Sequence, residues 1–146
     1  MITDRELTLS DAQAITATAN STDVIAMTGL RFGRGQRLRF YVQVDTAFTA
    51  AGAATLTIAL VQADNAALTT NAETLYTTAA IGKAALIPDG KKFLVDIGIP
   101  KQSKNFLGAT YTVATGPMTA GAITAGFVTD TPTPLDDQPT YWTGRG

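Results

Sequence analysis

The sequence predicts an all-β protein: one antiparallel sandwich or barrel of about seven or eight strands, followed by an extended C-terminal arm. Three observations predict it. Leu38, Phe40, Val42 and Val44 alternate with Arg39, Tyr41, Gln43 and Asp45, and Leu56, Ile58 and Leu60 alternate with Thr55, Thr57, Ala59 and Val61. A period of two places one set on a core face and the other on a solvent face. Threonine is abundant, and its branched Cβ suits a pleated surface. Further apolar runs recur at turn spacings of roughly ten residues, as in small β-sandwiches. The 146 residues are long enough to bury a core without staples.

The elements follow in order. Leu7 and Leu9 permit a short edge strand. Ser10 or Asp11 is placed to cap a helix, but T-A-T-A-N-S-T-D after Ile15 favours extended chain and turn. Val24, Ile25 and Met27 form a short strand ending at Gly29. Gly33 and Gly35 mark a loop before the long strand from Leu38. The two runs from Leu38 to Val61 read most simply as paired antiparallel strands joined by the loop A-F-T-A-A-G-A-A. The polar stretch after Val61 then reads as a connection crossing between sheets. Glu73 to Thr78 is a short strand, and Ala79 to Leu86 a helical turn or loop, since Gly82 opposes a stable helix. Ile87-Pro88-Asp89-Gly90 has β-turn order. Strands follow at Phe93–Ile99, Phe106–Val113 and Ile123–Thr129, with Leu107, Ala109, Tyr111 and Val113 sharing a face. The domain is placed at 1–130. The arm, 131–146, carries three of the chain's prolines and almost no aliphatics, so it cannot order itself alone.

Composition excludes more than it offers. Charged residues make up 16% and the net charge is −1, against about 25% charged in an average domain. A low-charge, threonine-covered exterior points to a surface that meets protein rather than bulk water. The balance gives no pull toward nucleic acid or anionic membrane. No run approaches the roughly 20 apolar residues needed to span a bilayer, and the first ten residues are too polar for a secretory signal. Cysteine and histidine are absent. That removes disulfides, thiolate chemistry, and the commonest general base and metal ligand.

The remaining constellations are weak for chemistry. Ser103 lies near Lys101 and Lys104 in a polar turn, without a matched base. The carboxylates Asp89, Asp96, Asp136 and Asp137 are scattered, and no calcium loop occurs. Gly33-Arg34-Gly35 lacks the strand and helix that a phosphate cradle requires. Neither catalytic residues nor cofactor or metal sites are expected. Two features are candidates for contact instead. Arg31, Arg34, Arg37 and Arg39 cluster as either a basic patch for an acidic protein surface or a solvated strand face. Tyr141 and Trp142, with Arg145 beside them, sit in the arm and either anchor on a neighbouring protein or fold back on this domain.

Four stretches are familiar in register: M-I-T-D at 1–4, S-D-A-Q-A-I-T-A-T-A-N-S-T at 10–22, V-Q-V-D-T-A-F-T-A-A-G-A-A-T-L-T-I-A-L at 42–60 and Y-T-V-A-T-G-P-M-T-A-G-A-I-T-A-G at 111–126. Over residues 1 to 130 the chain resembles the capsid cement (decoration) proteins of tailed bacteriophages, Bordetella-phage type. The arm and the arginine cluster have no counterpart in that resemblance. It implies a jelly-roll-like β-sandwich without catalytic activity or cofactor, made in the host cytoplasm and carried on the outer surface of the virion head. It also implies two partners: the major capsid protein, and further copies of the chain in a symmetric oligomer, a homodimer rather than a trimer. The alternative is a carbohydrate- or receptor-binding β-sandwich. That needs exposed aromatics around a shallow site, for which Tyr41, Tyr76 and Tyr111 are available.

Overall fold

The computed structural model describes residues 3–27, 38–88, 94–98 and 101–128. Ten strands follow one another: β1 (Thr3–Ala14), β2 (Ala19–Asn20), β3 (Ile25–Ala26), β4 (Arg39–Thr49), β5 (Thr55–Ala63), β6 (Glu73–Thr77), β7 (Ile81–Gly82), β8 (Val95–Gly98), β9 (Phe106–Ala114) and β10 (Ala120–Val128). A 3₁₀ turn at Lys83–Ala85 is the one helical element among the described residues. Sheet A has the order β1-β10-β4-β8 and sheet B the order β2-β9-β5-β6, with β3 also on β9 and β7 also on β5. All pairs are antiparallel. The architecture is the all-β sandwich expected.

The inner faces form one core. Phe40, Val42, Val44 and Phe48 of sheet A meet Leu56, Ile58, Leu60, Leu107, Ala109 and Tyr111 of sheet B, with Ile123, Ala125 and Phe127 from β10. The Phe40 and Phe127 rings lie 5.5 Å apart at 46°, a tilted contact that aromatic pairs favour. At the opposite end of the core, Gly121 has φ +140°, and a Cβ there would fall 2.3 Å from the Phe48 ring. Only glycine combines that backbone with so close a ring.

The long central pair is the main correction. β4 and β5 do not pair with each other: β4 lies between β10 and β8, and β5 between β9 and β6. Residues 50–54 therefore cross from sheet A to sheet B. The crossing is held by the Lys83 ammonium, which donates to the Ala50 carbonyl at 2.6 Å, and by Phe48 N–H to the Leu86 carbonyl at 2.9 Å. The alanine-rich linker has none of the Asn-Gly or Asp-Gly chemistry that closes a tight hairpin. Alternation fixes which side chains face in, but not which strand lies alongside.

Conversely, the polar stretch after Val61, expected to cross, stays in sheet B and joins β5 to β6. Asn65 organises it: its Oδ1 accepts from the backbone N–H of Thr69 and Thr70, both at 2.9 Å. Leu68 and Asn71 take positive φ, 58° and 49°. Asparagine tolerates this readily. Leu68 accepts it because its side chain is buried with Val61 and Ala63 in a second small cluster.

Smaller differences concern lengths. The expected short strand at Leu7–Leu9 is the twelve-residue β1, which carries three register irregularities along β10. No helix starts at Ser10. Its hydroxyl donates to Gln13 Oε1 at 2.7 Å and so accepts from the Tyr111 hydroxyl, also at 2.7 Å. That bond ties β1 to β9 through the core. Ala79–Leu86 contains both β7 and the 3₁₀ turn. The Ile87-Pro88-Asp89-Gly90 turn lies partly, and the 131–146 arm wholly, outside the described residues.

Candidate functional site

The alternation that fills the core leaves two outer faces, and they differ in chemistry. On sheet A, strand order brings Asp11 of β1, Thr124 of β10 and Tyr41, Gln43 and Asp45 of β4 together. With Arg5, Thr8 and Ala12 they line an open groove of about 520 Å³. Asp45 is its organising group. Gln43 Nε2 donates to one carboxylate oxygen at 3.1 Å and the Thr124 hydroxyl to the other. The Ala12 N–H donates to the Thr124 hydroxyl at 3.0 Å, which holds β1 over this face. Arg5 is turned to Asp23 at 3.3 Å. Tyr41 was expected in solvent, yet it is only 3% exposed. Desolvation, with the nearby charges of Asp45 and Asp11, raises its phenol pKa. This groove was not foreseen from the sequence. Tyr41, Gln43 and Asp45 were visible as an outward row, but nothing local says that β1 and β10 lie beside them.

Sheet B presents the other face. Thr57 stands opposite Thr112, Ala59 opposite both Thr110 and Thr77, and Thr55 opposite Ala114. These seven residues are uncharged, and Thr77, Thr112 and Ala114 are exposed. The far end of the same face is covered, where Leu68 and Val24 fold over Gly108. A Cβ on Gly108 would come within 2.7 Å of Leu68 Cδ1 and 2.9 Å of Val24 Cγ1.

Of the arginine cluster, Arg39 alone is described. It is not a free cation: its Nε donates to Asp96 Oδ1 of β8 at 2.6 Å and its Nη2 to the Asp96 carbonyl at 3.1 Å. Arg31, Arg34, Arg37, Tyr141, Trp142 and Arg145 lie outside the described residues.

The positions that hinted at chemistry are used structurally. Ser103 is bound by buried Gln62, whose Nε2 donates to its hydroxyl at 3.2 Å and whose Oε1 accepts from its backbone N–H at 2.8 Å. Asp96 holds Arg39. Among the described residues no group of three or more acidic, histidine or cysteine side chains converges as metal ligands, and no helix is long and apolar enough to cross a membrane. The three tyrosines available for a glycan platform are withdrawn. Tyr111 is fully buried, its phenol pKa pushed up by desolvation against the lowering effect of Ser10. Tyr41 is buried, and Tyr76 packs against the core.

What this defines is a β-sandwich with two outer faces of different chemistry, a polar groove on sheet A and an uncharged threonine-alanine face on sheet B. The chain belongs to the Bbp16 family, a Bordetella-phage-type family whose model matches residues 9–127. It is thus a phage-type protein. No match to a curated protein was found.

Proposed function

We propose that this chain is a non-catalytic capsid cement protein, bound as a homo-oligomer to the outer surface of an assembled phage head and bridging subunits of the major capsid protein. The observation that carries the reading is the uncharged threonine-alanine face of sheet B. A strand face left to water ordinarily gathers charge, whereas the buried centre of a protein contact is depleted of it. Family membership supplies the context of a phage particle.

The mechanism is linkage. A protein that binds only the expanded lattice stabilises that state by mass action. Each copy spanning two subunits adds contact area that must be lost before the shell opens. A sandwich with one continuous core serves as a rigid spacer, since its sheets cannot shear without breaking close packing. Heads prepared with and without the protein test this. Depleted heads should release DNA at lower temperature and under milder osmotic shock, and equal robustness of the two preparations would rule the cementing role out.

A further inference from the structure

A β-sandwich must deal with the lateral edges of its sheets, because unpaired backbone groups there accept another strand. This one treats its edges unequally. β1 carries Arg5, Glu6 and Asp11 and three register irregularities, and it is tied toward sheet B by the Asp23 N–H on the Leu9 carbonyl at 2.9 Å. β8 is four residues long, and its Asp96 holds Arg39. The margin formed by β6 and β7 has far less protection. Residues 73–82 read E-T-L-Y-T-T-A-A-I-G and run beside β5 from Gln62 back to Thr55. They contain no lysine, no proline and one charge, at the Glu73 end. Among the described residues no strand lies on their outer side.

The direction of the backbone groups follows from the ladder. Thr78 N–H donates to the Ile58 carbonyl at 2.9 Å, so Thr77, opposite Ala59, is a non-hydrogen-bonded pair with β5. Its own N–H and C=O therefore point away from the sheet, and its side chain lies on the uncharged face.

We infer that the β6–β7 margin takes an added β-strand: an extended, uncharged segment of the shell subunit that this protein caps. The inference rests on the cement reading and names the surface that would carry it. A neutral margin selects a neutral partner, since a buried charge would find no counter-ion here. Backbone ladders supply the contact, and the adjoining threonines Thr57 and Thr112 extend it across the face. A second copy fits less well. The register shift between Leu60 and Val61 bends β6 next to Thr74. Two copies paired about a two-fold axis would bring two such bends together, whereas a straight heterologous strand meets only one.

Thr77→Pro tests the inference, because it removes an outward N–H and no internal ladder bond. Thr77→Ala keeps the N–H. Co-sedimentation with heads lacking the protein should fall at least tenfold for Thr77→Pro and stay within twofold for Thr77→Ala, with both variants keeping the parent's thermal transition. Should Thr77→Pro fail to fold, hydrogen exchange on the unmodified chain decides: the Thr77 amide should become protected on the head and exchange freely in solution. Wild-type binding matched by Thr77→Pro, or an amide equally exposed in both states, overturns the inference and leaves the cement reading standing. Failure of the wild type itself to bind heads ends both. A Thr77→Pro chain whose solution mass halves would show that the occupant is a second copy, and would overturn the assignment made here.

Discussion

The two outer faces of the sandwich share one core and one strand geometry, yet one is a polar groove and the other a flat field of threonine and alanine. On sheet A, Asp45 is held from two sides by Gln43 and Thr124, and Arg39 is held by Asp96. On sheet B the exposed end offers hydroxyls and methyls, with the uncharged Asn20 amide at its margin bonded to Thr110. Most of the stabilising burial lies on the inner faces. On the cement reading, the difference reflects what each face meets on the head. On the first, Asp45 and Arg39 are already held by their own neighbours. The second has removed the charges that keep a surface in water.

The largest expected effect separates the covered and bare ends of sheet B. Leu68 is buried over Gly108 with Val61 and Ala63. Leu68→Ala should cost about 2–4 kcal/mol, in the range of buried leucine truncations. Thr112→Ala, at the bare end, should stay within about 0.5 kcal/mol. Urea unfolding measures both. Equal effects would mean that the bare end is also part of the folded core.

Legibility from sequence follows the same division. The inner faces were readable because burial imposes a period of two, and Leu107, Ala109 and Tyr111 fall where alternation put them. Strand partners were not readable, because β4 and β5 would show the same period whether paired or in separate sheets. The 64–72 connection was misread because its polarity looks like a crossing. What decides its path is one asparagine accepting two backbone bonds and one leucine at positive φ. The groove was illegible for a further reason. Asp11, Asp45 and Thr124 are far apart in sequence and meet only through strand order.

The next effect lies between core and sheet A. Tyr111 in the core and Tyr41 under the groove both have raised phenol pKa values. Both hydroxyls stay protonated in the folded chain at a pH where an unfolded tyrosine, with pKa about 10, ionises. The folded state then binds more protons than the unfolded one. Their contribution is full below about pH 10 and is lost as pH rises through the folded values, with a slope of about 1.4 kcal/mol per pH unit for Tyr111. Tyr111→Phe should flatten the alkaline loss in a pH series of urea midpoints more than Tyr41→Phe does. An unchanged slope in Tyr111→Phe would show that its hydroxyl reaches water.

A third comparison asks the two faces for binding rather than stability. Thr112→Lys places a charge in the neutral field and should weaken attachment to heads at least tenfold, about 1.4 kcal/mol. Asp45→Asn removes a charge from the opposite face while keeping one acceptor oxygen, and should alter attachment less than twofold. Co-sedimentation at fixed salt reads both. A reversal of the two would move the contact to the groove.

The smallest effect belongs to the Arg39–Asp96 pair, and it sharpens what sheet A's charges are for. The contact is short, 2.6 Å, but the side chains remain 40% and 34% exposed. Water screens such a pair, and holding two side chains in one geometry costs entropy. Arg39→Ala should therefore change stability by less than about 1 kcal/mol. The change should shrink further as salt rises, since the Debye length falls from about 10 Å at 0.1 M to about 3 Å at 1 M. Urea midpoints in low and high salt measure this. A larger, salt-independent loss would show that the pair fixes β8 against β4. A small one means that these charges satisfy each other locally and do little to hold the fold.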